Sequence, residues 1–195
     1  MGSSIIKHAA LYARHRPMGR HLGSRDKCCI FWSGRSGLRH HQVIDFASKM
    51  LYEQEVWMPH VLDFIILHVG GNDIGFHNCG LLRLSLKTLF SQLALMFPQA
   101  KIVWSCILPR LNWRNAIGTQ NSEKSRARIN RAMIHFAVQQ GHRAIKHCEF
   151  NDKSPGLFAA DGVHLSDVGT DLFLLNIQSA LETFMSSAAS VYPVV

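Results

Sequence analysis

No apolar run in this 195-residue sequence approaches the ~20 residues that span a bilayer. The amino-terminal stretch MGSSIIKHAALYARHRP also lacks the apolar core of ~7–15 residues and the small-residue cleavage site of a secretory signal. The five cysteines (Cys28, Cys29, Cys79, Cys106 and Cys148) are odd in number, form no CxxC pair and fall partly within apolar runs such as CCIFW and IVWSCIL. They read as reduced thiols, not as a disulfide framework. These absences exclude a membrane-spanning helix and a stapled secreted scaffold, and lead us to expect an intracellular protein, cytoplasmic or nuclear. Acidic residues are also scarce. There are 13 against 21 Lys and Arg, for a formal net charge of +8, and 12 histidines add to it as pH falls. That balance favours polyanions as partners and says nothing about fold.

Hydrophobic residues make up 47% of the chain, and a domain of this size buries roughly 70% of its unfolded surface. No metal or disulfide is needed for it to fold. Short apolar runs alternate with segments of helical period, which is the pattern of βα units on a parallel sheet. The spacing predicts strands near 28–33, 61–69, 101–108 and 144–150. It predicts helices near 41–54, 81–97, 122–140 and 167–186, with a first helix starting at Ser3 or Ser4. Within 122–140, Ile129, Met133, Phe136 and Ala137 recur at helical spacing, and Lys124, Arg128, Arg131 and His135 form a solvent-facing stripe of one sign. Residues 17–27, 109–121 and 151–160 are irregular. Residues 1–195 read as a single α/β domain without repeats or linkers. In an open α/β sheet the first strand is central and ends at the turn into the first helix. Here that turn is present and the strand before it is missing. The expectation is therefore an amino-terminally truncated chain, or a piece of a longer protein whose preceding residues supply the strand.

Four short segments carry the chemistry: GSS at 2–4, SGRSG at 33–37, VGGNDIG at 69–75 and ADGVHLS at 160–166. Singly, each has a plain explanation as a helix cap or a glycine turn. Together they all fall at strand ends or helix-opening turns, where open α/β sheets build their sites. Acyl transfer needs a nucleophile, a base, a group that orients the base, and donors for the oxyanion. Ser4 at a helix start can present its hydroxyl and its own N–H to one cleft. Asp161 and His164 are three residues apart, so one turn can set the carboxylate beside one imidazole nitrogen and leave the other facing Ser4. Gly37 can offer a backbone N–H, and Asn72 a side-chain amide.

GSS, SGRSG, GGND and DGVH, in this order, resemble the four signature blocks of the SGNH/GDSL hydrolases, which are esterases and lipases. The resemblance covers roughly residues 2–185. It implies a three-layer α/β/α sandwich of flavodoxin-like type, with a parallel sheet of order 2-1-3-4-5. It also implies a serine hydrolase that cleaves a small ester or acyl group through an acyl-enzyme, with Ser4 as nucleophile, His164 as base and Asp161 as its partner. The implied oxyanion hole is Ser4, Gly37 and Asn72. One position departs from the pattern, since Ser3 stands where the family's first block carries Asp. The wording FWSGRSGLR and HVGGNDIG is also similar to esterase-like domains of vertebrate retrotransposon proteins.

The competing reading is a catalytically inactive SGNH-like interaction domain. Lys7, Arg14, Arg16, Arg20, Arg25 and Lys27, with the 124–131 stripe, would then bind nucleic acid weakly. No motif with interleaved aromatics accompanies them, and Trp32, Trp57, Trp104 and Trp113 read as core or loop anchors. No metal or organic cofactor is expected. His77 with Cys79, and His40 with His41, complete no four-ligand zinc spacing, and His68 in its apolar run reads as a satisfied core histidine. SGRSGLR lacks the Lys-Ser/Thr ending of a phosphate-binding loop.

Overall fold

Alternation of side chains along short strands decides the layering of this protein. The computed structural model describes residues 1–24, 26–49, 62–113, 118–151 and 154–194. Strands β1 (Phe64–Leu67), β2 (Lys101–Ser105), β3 (Arg143–Ile145) and β4 (Val191–Tyr192) form a parallel sheet in the order β1-β2-β3-β4. Ile65, Leu67, Ile102, Trp104 and Ala144 are buried together on one face. Phe64, Ile66, Val103 and Ile145 belong to the opposite face. Every strand therefore needs cover on both sides, as a parallel sheet does.

The helices supply that cover. On the first face lie α2 (43–49), α3 (Cys79–Met96) and α4 (Thr119–Gln139); on the other lie α1 (Ser4–Ala13) and α5 (Asp167–Ser186). In α3 the buried residues Leu82, Leu86, Leu89, Phe90 and Leu93 recur at helical spacing. Its start is fixed by the Asn78 side chain, which accepts from Gly80 N at 2.8 Å. Ser166 does the same for α5, accepting from Gly169 N at 3.1 Å. Lys124, Arg128, Arg131 and His135 are exposed, as the stripe reading requires.

Several boundaries differ from expectation. Residues 28–33 form no strand. Ile30 N donates to His21 Nδ1 at 3.0 Å instead of to a strand carbonyl, and the extended pairing near this segment is a single bridge between Gly2 and Gly34. The strand expected over 144–150 ends at Ile145, because β4 pairs no further and the chain turns where Phe150 N donates to His147 O. The two-residue β4 itself carries too little pattern to be read from sequence. Helix α4 starts earlier than expected, at Thr119. The far end of the helix expected over 41–54, the start of the strand expected at 61, Arg25, Trp57 and parts of the loops 109–121 and 151–160 lie outside the described residues. Among the described residues no helix is long and apolar enough to cross a membrane.

Residues 1–3 hold the place between 33–35 and β1. Gly2 N donates to Ser33 O at 2.9 Å and Arg35 N to Gly2 O at 3.0 Å. On the other side His68 N donates to Met1 O at 3.0 Å, Ser3 N to His68 O at 3.3 Å, and the Met1 amino group to Ile66 O at 2.7 Å. The packing leaves room for hydrogen alone at two positions. A Cβ on Gly2 would stand 2.4 Å from His68 O, and one on Gly34 would stand 2.4 Å from Lys7 N.

A buried polar row crosses the sheet beneath this junction. Ser105 Oγ lies 3.0 Å from His68 Nδ1 and 2.8 Å from His147 Nε2. Asn176 Nδ2 donates to Glu149 Oε2 at 3.0 Å and lies 3.4 Å from His147 Nδ1. Burial, then Arg110 and the amino terminus, lower the pKa of His68 to about 3. Burial, then His68, holds His147 well below the usual histidine range. His68 is thus a satisfied core histidine.

An unfolded chain binds a proton at His68 once pH drops through about 6.5, whereas the folded one refuses it down to about 3. The folded state therefore loses stability as pH falls across that window, by up to about 1.4 kcal/mol per pH unit from this residue. The urea stability lost between pH 6.5 and 4.5 should be smaller by roughly 2 kcal/mol in His68→Asn than in the parent chain. Equal losses in both chains would remove His68 as a source.

Candidate active site

Ser4 opens α1 directly after the two-sided junction, so the backbone bonds of residues 1–3 set where its side chain begins. It is 9% exposed. At the first turn of a helix the N–H groups have no intrahelical acceptor, and the helix dipole makes this end positive. Ser3, the N-cap residue, is buried and makes no side-chain capping bond.

His164 and Asp161 come from a turn of residues 158–165. Asp161 Oδ1 accepts from Val163 N and His164 N, both at 2.9 Å, which closes an Asx-type turn. Its other oxygen lies 2.6 Å from His164 Nδ1. The turn is tied from outside as well, because Leu111 N and Asn112 N donate to Gly162 O at 2.8 and 3.0 Å. Across the cleft His164 Nε2 lies 3.0 Å from Ser4 Oγ. Burial pushes the Asp161 carboxyl up, but the N–H groups of His164 and Val163 and the His164 ring outweigh it. The net effect holds it far below the usual carboxylate range. A carboxylate ionised at all ordinary pH favours an Nδ1–H tautomer of His164, which leaves the Nε2 lone pair towards Ser4. The three residues picked from sequence are thus in one hydrogen-bonded chain.

The other two picks lie on neighbouring turns. Asn72 Nδ2 donates to Leu38 O at 3.1 Å, and Arg110 Nη2 donates to Asn72 Oδ1 at 3.0 Å. One partner demands an acceptor and the other a donor, so together they fix which way the amide faces. The second Nδ2 hydrogen remains for another acceptor. Gly37 has φ of +72° with open space where a Cβ would be. Glycine is required there by its backbone conformation, and not by crowding.

Two residues escaped the sequence reading. Arg110 reaches Asn72 only through the fold, and its guanidinium would stand 2.9 Å from a Cβ on Gly71. His8 lies one helical turn beyond Ser4, with its ring 4.8 Å from that of His164. Burial, then His164 and Lys7, lower its pKa, with Asp161 opposing. The four-residue spacing from Ser4 on a helix was a usable signal for it.

No family model and no curated protein matches the sequence. Solved structures do match. A lipase/acylhydrolase from Enterococcus faecalis superposes with a TM-score of 0.65 at 15% identity, over 93% of this chain and 92% of that one. A GDSL-like lipase from Bacteroides thetaiotaomicron VPI-5482 gives 0.62 at 19% identity, over 93% and 85%. The esterase domain of the ORF1 protein from the zebrafish ZfL2-1 retrotransposon is 23% identical over 93% and 96%. Its TM-score of 0.47 is too low to add to the argument. At such identities the likeness is one of fold, and the fold of this chain is that of the GDSL-like lipases and acylhydrolases, the SGNH-type α/β architecture.

Proposed function

We propose that residues 1–195 act as one serine hydrolase domain that cleaves a small ester or other acyl group through an acyl-enzyme on Ser4. The observation that carries this reading is the unbroken chain Ser4 Oγ, His164, Asp161 at 3.0 and 2.6 Å. His164 Nε2 takes the Ser4 proton as Oγ attacks the acyl carbon, then returns it to the departing alcohol oxygen. Water, deprotonated by the same nitrogen, releases the acid and restores Ser4. Asp161 keeps the imidazole in the productive tautomer and stabilises its cation. The Ser4 and Gly37 N–H groups and Asn72 Nδ2 serve the oxyanion. Arg110 acts at one remove, as a positioning residue for the Asn72 amide. No metal or organic cofactor enters this scheme.

Fluorophosphonate labelling should modify Ser4 in the parent chain and vanish in Ser4→Ala, with circular dichroism showing both folded. A folded parent chain that stays unlabelled would sink the reading. Once a turnover assay exists, Asp161→Asn should cost roughly 10⁴-fold in kcat and Asn72→Ala roughly 10²–10³-fold. Arg110→Met should fall short of the Asn72→Ala loss. Near-parental turnover in either of the first two removes that residue from its role.

One observation favours the interaction reading. A cleft of about 640 Å³ lies along α4 and the ends of β2 and β3, away from Ser4, and Arg131, His135 and Lys146 line it with no carboxylate among the lining residues. Arg126 also faces it but is bonded to Glu123 and to Ile107 O. A polyanion docked here should shift labelled RNA at micromolar protein in a salt-dependent way, and Arg131→Glu with Lys146→Glu should abolish the shift. A shift unchanged by the double variant would place nucleic acid elsewhere.

A further inference from the structure

His40 and His41 are adjacent, whereas Asp73 lies 33 residues from His40, so spacing alone assembles no metal set. The fold does assemble one. The ligand atoms of His40, His41 and Asp73 all lie within 4.8 Å of one another. We propose that these three residues bind a divalent transition-metal ion of the zinc type, with His77 within reach as a fourth ligand.

The carboxylate forms the floor. Asp73 is fully buried and accepts from His40 N at 3.2 Å and from His40 Nδ1 at 2.8 Å. The side chain that meets this carboxylate is thus an imidazole. A buried carboxylate needs compensating positive charge, and a divalent cation at this spot supplies it. Arg39, next to His40 in sequence, stacks its guanidinium on the Phe76 ring at 3.9 Å.

The imidazoles form the mouth. The His40 ring meets those of His41 and His77 edge-on, with centroids 5.5 Å apart in both pairs. Imidazoles that share one tetrahedral zinc have centroids about 5 Å apart, given Zn–N bonds of about 2.0–2.1 Å. The spacing in these two pairs is thus close to that of imidazoles sharing one ion, and side-chain rotation would turn the ring nitrogens towards it. His41 is exposed, which gives the ion a way in. An imidazole-rich set with one carboxylate suits zinc and its neighbours, and not calcium or magnesium, which prefer oxygen shells. Asp73 enters as a direct ligand, the part its spacing from the two imidazoles allows.

Binding here has a local consequence, which rests on the hydrolase reading although the site itself does not. Asp73 follows Asn72 and His40 follows Gly37 by three positions. The ion would therefore clamp together the two turns that carry the oxyanion donors.

The test is isothermal titration of the metal-stripped full chain with zinc chloride, alongside cobalt(II) absorption. We expect one saturable equivalent at micromolar or tighter affinity, and a cobalt spectrum without sulfur-to-metal charge transfer. His41→Ala, at an exposed position, should weaken binding by roughly 10–100-fold, and His41→Ala with His77→Ala further still. Neither variant should change thermal unfolding of the metal-free protein. No saturable binding, or binding unchanged in the double variant, overturns the proposal. So does a thiolate band in the cobalt spectrum, which would assign the ion to an exposed cysteine such as Cys29 or Cys148. Loss of Ser4 labelling with metal binding intact would count against the hydrolase reading alone.

Discussion

The backbone junction at residues 1–3 is the constraint on which the site depends. Five hydrogen bonds lock this short segment between 33–35 and 66–68, and α1 departs immediately afterwards. Each bond is worth only about 1 kcal/mol net, but their geometry sets the height and direction of Ser4 against the sheet. The requirement for closeness explains the glycines. Gly2 lies against the His68 carbonyl and Gly34 against the Lys7 backbone, so any side chain at either point would lever α1 away. Beneath the junction, His68 shares its backbone with residues 1–3 and its ring with Ser105. The polar row and the segment that leads into Ser4 are thus anchored to the same residue.

The parts of the structure with strong periodicity were legible from residues alone. Leu82 to Leu93 in α3, Ile129 to Ala137 in α4 and the whole of α5 carry a full apolar stripe, and the expected helices lie where that stripe lies. The catalytic candidates were legible for a different reason. The Asp161–His164 pairing is local, closed inside one turn by Asp161 Oδ1 and two backbone N–H groups. Its approach to Ser4 followed from the rule that open α/β sheets gather their chemistry at strand ends.

What escaped the reading was set by contacts distant in sequence. The apolar run at 28–33 has strand composition, yet whether it pairs depends on what the fold sets beside it, here the His21 ring on Ile30 N, and not on its own residues. β4 offers two residues, too few for any period. Arg110 sits in an irregular loop and matters only because the fold points it at Asn72. His40 and Asp73 look unrelated until the turns after 37 and 72 are set side by side. Tertiary placement, which no window of sequence contains, decides all of these.

The way Asp161 keeps its charge has a further consequence. Its two N–H donors lie two and three residues away in the same turn, and its imidazole partner belongs to that turn as well. Mobile ions weaken interactions over distances near the Debye length, about 8 Å at physiological ionic strength. They act poorly on contacts of 2.6 to 2.9 Å between groups already touching. Although Asp161 is 42% exposed, the ionisation of this carboxylate is therefore insulated from the salinity of its surroundings. A protein with a net charge of +8 can thus gather or shed counterions over its surface without disturbing the carboxylate that orients the His164 ring.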